Sequence, residues 1–195
     1  MIDDGLPAWE LQFRFSSNRL CLAYCATVGE RWRRSFERLR GGEDLGRWLV
    51  EAGLLPAPPP VNKRQLTEAR KLREAIYLSL RSAMTEEDVN VADAAIINRL
   101  ARHQAICPQL DATGARETWA GSDPLAAGMA TVAADAVELL TSPQLHRVRQ
   151  CDAADCALLF LDTSRPGRRR WCADQACGSR ARSAAYRQRR YQAHD

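Results

Sequence analysis

Four cysteines near the end of the chain constrain its fold more than any other feature. Cys151 and Cys156 have four residues between them, Cys172 and Cys177 repeat that spacing, and fifteen residues separate the two pairs. Each pair can close a small knuckle around one ion, and two knuckles supply the four thiolates of a tetrahedral structural zinc site. Soft sulfur ligands favour Zn2+ over magnesium or calcium, with iron as the chemical competitor. The bland alternatives are ordinary core cysteines or two disulfides. Paired cysteines form disulfides chiefly in secreted chains. The N-terminal MIDDGLPAWELQF has neither the basic start nor the long apolar core of a secretory signal. Seven cysteines, an odd number, fit a reducing cytoplasm.

The sequence around these cysteines predicts a hairpin and a helix. Leu158 to Leu161 is a short apolar run of strand character, Ser164-Arg165-Pro166-Gly167 supplies a turn, and Arg168 to Trp171 is expected to return. After Cys177, Gly178 permits a tight exit, and no Gly or Pro interrupts the chain through Ala193. Charge is distributed unevenly. Residues 1–143 carry 17 basic and 19 acidic side chains, whereas residues 144–195 carry 11 arginines against 5 aspartates. The excess points to a polyanionic partner for the C-terminal part. Arginine is the chain's default base, with Lys63 and Lys71 its only lysines, so the asymmetry is more informative than the arginine count. A solvated basic helix without a partner is the plain alternative.

The stretch WCADQACGSRARSAAYRQRR, preceded by the first cysteine pair and LFLDTSRPGRRR, resembles the CGNR zinc finger of bacterial proteins. The name-giving motif reads Cys177-Gly178-Ser179-Arg180, with Ser in the usual Asn position. Serine keeps a short side chain able to hydrogen-bond the local backbone. The resemblance implies a treble-clef-like module whose zinc ligands are Cys151, Cys156, Cys172 and Cys177.

Upstream, apolar spacing predicts helices. Leu20, Tyr24 and Val28 share one face, with Ser16 or Ser17 as cap, and Cys21 and Cys25, one turn apart, are expected to pack in the core. Leu45, Trp48, Leu49 and Leu54-Leu55 mark a short helix stopped by Gly53 and the run PAPPP. The longest pattern, Asn62 to Met84, places Leu66, Ala69, Leu72, Ile76, Leu80 and Ala83 inward. Arg73 falls at the edge of that face. It is either a snorkelling side chain or a partly buried guanidinium for a carboxylate or an anionic ligand. Further helices are expected over Asp88–His103 and Leu125–Leu140, with a small hairpin between them, Ile106–Leu110 and Arg116–Trp119. No apolar run approaches the length that spans a bilayer.

This order of elements, with LRGGEDLGRWLVEAGLL and LTEARKLREAIYLSL, is similar to the ABATE domain, which commonly precedes a CGNR finger and is associated with stress-induced transcription regulation. The first helix departs from the family pattern L-x-L-D-F-V-N-T, because Ala23 and Ala26 replace the acid and the amide. If those groups shape a pocket or hold Arg73, ligand sensing is altered here.

The expected protein is mainly α. A helical ABATE-like domain with one small hairpin (residues 1–143) precedes a treble-clef-like four-cysteine finger with a basic C-terminal helix (residues 144–195). The expected function is that of a cytoplasmic, DNA-binding transcription regulator with a structural Zn2+. Its nucleic-acid contacts would come from Arg168, Arg169, Arg170, Arg180, Arg182, Arg187, Arg189 and Arg190. The helical domain would sense a small-molecule effector or form a homodimer. One alternative is an interaction module for an acidic protein, and another is an enzyme with an anion pocket around Arg73. Against an enzyme, His103, His146 and His194 are scattered, and no phosphate loop, dinucleotide fingerprint or H-E-x-x-H is present. A zinc saturated by thiolates also keeps no open position for water.

Overall fold

The N-terminal helices form where apolar residues recur at helical spacing, and distant side chains complete their ends. The computed structural model describes residues 5–110, 112–114, 116–119 and 121–192. Helix α1 (Leu20–Cys25) is short and buries Cys21, Leu22, Ala23, Tyr24 and Cys25. Neither Ser16 nor Ser17 caps it. Its cap comes from across the core, where Asp135 Oδ2 accepts the Cys21 amide at 2.8 Å. The same carboxylate pairs with Arg19 at 2.9 Å. A carboxylate suits this position because the first amides of a helix lack internal acceptors and carry partial positive charge.

Two residue pairs, β1 (Val28–Gly29) and β2 (Phe36–Glu37), form a minimal antiparallel ladder after α1. Gly29 faces Phe36 so closely that a Cβ on it would lie 2.2 Å from the ring Cζ. Helix α2 (Gly42–Glu51) follows and buries Leu45, Trp48 and Leu49. Helix α3 (Lys63–Met84) starts at a reciprocal cap. Asn62 Oδ1 accepts the Gln65 amide and Gln65 Oε1 accepts the Asn62 amide, both at 2.9 Å. Its inward face contains Leu66, Ala69, Leu72, Ile76 and Leu80, as the spacing predicts.

Helix α4 (Val91–Ala101) and the hairpin of β3 (Cys107–Leu110), whose residues are exposed, and β4 (Arg116–Trp119) lead to α5 (Pro124–Thr141). The α5 helix meets the length and composition of a membrane span, contrary to the sequence expectation. Its buried residues, including Val132, Ala133, Ala136 and Leu139, belong to the common core of the helices.

At the centre of that core, the Tyr24 and Trp48 rings lie 4.8 Å apart, and the Tyr24 hydroxyl donates to the Ala69 carbonyl at 2.8 Å. Cys21 and Cys25 are core residues, as expected. Burial pushes the Cys25 thiol up to about 12, and its S–H points at the Arg73 carbonyl, 3.8 Å away.

Arg73 does not snorkel. It is 4% exposed, and its guanidinium grips both Glu37 oxygens at 2.7 Å, the Thr27 hydroxyl at 3.1 Å and Glu74 at 2.8 Å. Of the two partners open to it in the sequence, the structure supplies the carboxylate.

After a 3-10 turn (Pro143–Arg147), strands β5 (Val148–Gln150) and β6 (Leu159–Leu161) pair antiparallel. The predicted hairpin is corrected here, because the apolar run pairs backward with Val148–Gln150 and Arg168–Trp171 forms no strand. Strand alternation then sends neighbouring residues to opposite faces. Leu159 and Leu161 join the helical core, whereas Phe160 packs with Cys151, Cys172, Cys177 and Ala26. One strand therefore belongs to two cores.

The ion pair of Arg73 ties β2 to α3 and leaves a buried charge if broken. Glu37→Gln is predicted to destabilise the chain by about 2–3 kcal/mol in urea unfolding. A change within about 0.5 kcal/mol would show that the pair is dispensable.

Candidate metal centre and basic helix

Two knuckles bring the four cysteines together. The first sits at the tip of the β5–β6 hairpin, where the Cys151 amide donates to the Leu158 carbonyl and the Cys156 amide to the Ala153 carbonyl, both at 2.9 Å. The second ends in a wide turn, Asp174–Gly178, that runs directly into α6 (Ser179–Gln192). The four sulfurs lie within 4.8 Å of one another, with Cys156–Cys172 at 3.7 Å and Cys172–Cys177 at 3.5 Å. A disulfide needs about 2.05 Å, so these are not bonded pairs. Four sulfurs at about 2.3 Å from one tetrahedral Zn2+ stand about 3.8 Å apart, which the measured separations approach. Cys151, Cys172 and Cys177 are buried and Cys156 is partly buried, a closed site of the structural kind. Among the described residues, no other group of three or more Cys, His, Asp and Glu gathers in this way.

Surrounding groups fit a thiolate-rich centre. The Cys172 amide donates to Cys151 Sγ at 3.4 Å, and Arg180 Nη2 lies 3.4 Å from Cys177 Sγ. Four thiolates on one dication leave a local charge of −2, which a guanidinium and an N–H offset. Ser179 fills the motif's usual Asn position as expected, donating to the Asp174 carbonyl at 3.5 Å.

The eight arginines proposed for nucleic acid divide into two groups. Arg169 stacks over Phe160 at 4.6 Å and donates to the carbonyls of Trp171 at 2.8 Å, of Ser16 at 3.2 Å and of Cys172. It clasps the finger to the N-terminal segment. Arg170 pairs with Asp152 at 2.8 Å. Arg180 pairs with Asp155 at 3.3 Å and Arg182 with Asp174 at 2.8 Å. Arg168, Arg187, Arg189 and Arg190 are exposed and have no partner among the described residues. Arg73 lies in the helical domain, in its ion-pair network.

Helix α6 is anchored at its root alone. Every residue from Arg182 to Arg190 is exposed. Ala181 is half-buried and Ala185 is bare, because the helix leaves the finger after its first turn. Ala193 and His194 fall outside the described residues.

Asp162 is a key residue that sequence reasoning missed. Its side chain accepts from the Ser164 amide at 2.9 Å, the Ser164 hydroxyl at 2.6 Å and the Arg169 amide at 2.8 Å. Burial pushes this carboxyl up, but the three hydrogen bonds outweigh it and hold it below the ordinary range. The Asp-Thr-Ser sequence is a recognisable turn signal of this type.

The finger is joined to the helices by polar contacts as well as by β6. The Leu161 amide donates to the Ser17 carbonyl at 2.9 Å, and Asn18 Nδ2 donates to the Leu161 carbonyl at 3.0 Å. Ala26, one of the two departures in the first helix, lies against the cysteine cluster.

A comparison with curated proteins finds no match. Family models match over most of the chain. Residues 18–143 match the ABATE model, described as "Putative stress-induced transcription regulator", and residues 147–190 match the CGNR zinc finger. The regions that match are the helical core and the segment that gathers the four sulfurs around a structural zinc. The chain therefore belongs to the ABATE family and ends in a CGNR zinc finger.

Proposed function

We propose that this chain is a DNA-binding transcription regulator that docks through α6 and the adjoining Arg168 loop. The reading rests on one observation: a basic helix, rooted beside the zinc centre, bears arginines without partners among the described residues along the exposed run Arg182–Arg190. A 14-residue helix is marginal by itself in water. Like charges along it deepen the cost, and a polyanion would relieve both. Guanidinium groups bond phosphate oxygens bidentately and can read guanine edges.

Arg168, Arg187, Arg189 and Arg190 are the contacts this reading favours. Arg170, Arg180 and Arg182 have exposed ion pairs, which contribute little in water and can exchange for phosphate. Arg169, which clasps three carbonyls, is used by the fold itself, and Arg180 also balances a thiolate. The division at residues 143 and 144 is functional in this proposal, with regulation upstream and docking downstream. The buried thiols fit a reducing cytoplasm, and homodimerisation through the helical domain would match a two-fold DNA site. An acidic protein partner is the second reading, favoured by the same exposed helix.

If four arginines meet phosphates, log K for duplex DNA should fall with log salt at a slope of about −4. Replacing Arg168, Arg187, Arg189 and Arg190 by alanine should flatten that slope without loss of zinc. No gel shift even at low salt would favour the protein partner. Zinc removal is predicted to spread beyond the finger, because β6 serves both cores. Cys172→Ser should release zinc, disorder residues 151–178 and lower the unfolding temperature of the helices while keeping most of their circular dichroism. A helical transition unmoved by this substitution would contradict the shared-strand account.

A further inference from the structure

A cavity of about 210 Å3 lies between the helical domain and the finger. Trp9, Phe36 and Leu158 give it apolar walls, and its lining residues include five arginines against three carboxylates. Two of those arginines are matched. Arg34 holds Glu30 at 2.6 Å and Glu10 at 2.8 Å, and Arg180 holds Asp155 at 3.3 Å. Arg14, Arg33 and Arg38 have no carboxylate partner among the described residues.

Arg38 is the telling one. It is 2% exposed, and its Nε and Nη1 donate to the carbonyls of Glu10 at 2.8 Å and Ala26 at 2.9 Å. Carbonyls supply dipoles and no counter-charge. Burial, reinforced by the charge of Arg14, pulls the guanidinium down to about 10. A buried charge with no carboxylate bonded directly to it is costly, although the charges of Glu10 and Glu37 act on it. Arg38 lines a cavity with further positive charge. On the same wall Glu10 is buried, and its Oε2 has no hydrogen-bond partner.

We infer that this cavity is a binding site for a small organic anion, carboxylate or phosphate, that carries a hydroxyl or amino donor. The acid group bonds Arg38, with Arg14 and Arg33 closing over it, and the donor satisfies Glu10. The recessed position of Arg38 selects a free small anion over the backbone of a nucleic acid. The ligand would bridge the helical domain and the finger, because Cys156 and Arg180 line the same space. This site is separate from the Arg73 network, and it meets α6 only at Arg180.

The test uses the zinc-loaded full chain without DNA, titrated calorimetrically with inorganic phosphate and with citrate, against sodium chloride at matched ionic strength. Saturable binding of either anion is expected, and which one binds more tightly distinguishes a phosphoryl from a carboxylate ligand. Arg14→Ala with Arg33→Ala, both lining the cavity, should weaken that binding about tenfold or more. Arg102→Ala, on an exposed arginine elsewhere, should leave it unchanged. No saturable heat from either anion beyond the chloride control, or binding undiminished in the double variant, would overturn the assignment. The titrations contain no DNA, so their outcome does not depend on whether α6 binds it.

Discussion

Four sulfurs converging on one point are the constraint on which the rest of this structure depends. The segment from Cys151 to Gly178 has little apolar surface of its own beyond Phe160, Leu158 and Trp171. So small a module cannot hold its loops by burial alone. Metal binding at a centre of four cysteines supplies about 10–16 kcal/mol, far more than that cluster can. Once the loops are closed, Phe160 has a surface to pack on. Only then does β6 have a reason to keep one register, with Leu159 and Leu161 directed to the helices.

This coupling changes the meaning of the boundary between the two families of the chain. By sequence the finger begins after the last core helix, but physically the two parts share a strand, a buried alanine and the Arg169 clasp. The finger packs directly on the helical domain. Packed atoms, rather than a run of chain alone, join the helices to the root of α6. Both parts also line one cavity.

Features set by local spacing were legible in the sequence. The cysteine pairs, the inward face of α3 and the β3–β4 hairpin all follow from neighbours within a few residues. Features that depend on long-range pairing were not. Asp135 caps a helix 114 residues away, and Glu37 meets Arg73 across 36 residues, so neither leaves a local trace. The finger hairpin was misassigned for a related reason. Val148-Arg149-Gln150 is too short and polar to look like a strand, whereas the Ser-Arg-Pro-Gly turn looks like the centre of a hairpin. Arginines posed a separate difficulty, since the same side chain can clasp carbonyls, balance a thiolate or await a partner. Composition cannot separate these roles, and the folded surroundings of Arg169, Arg180 and Arg187 do.

The most direct test of the account is X-ray absorption at the metal edge of the purified native protein, together with metal stoichiometry. The account predicts one zinc per chain with four sulfur neighbours at about 2.3 Å. Finding no zinc, or sulfur pairs at the disulfide distance of about 2.05 Å, would contradict it and remove the support on which α6 stands.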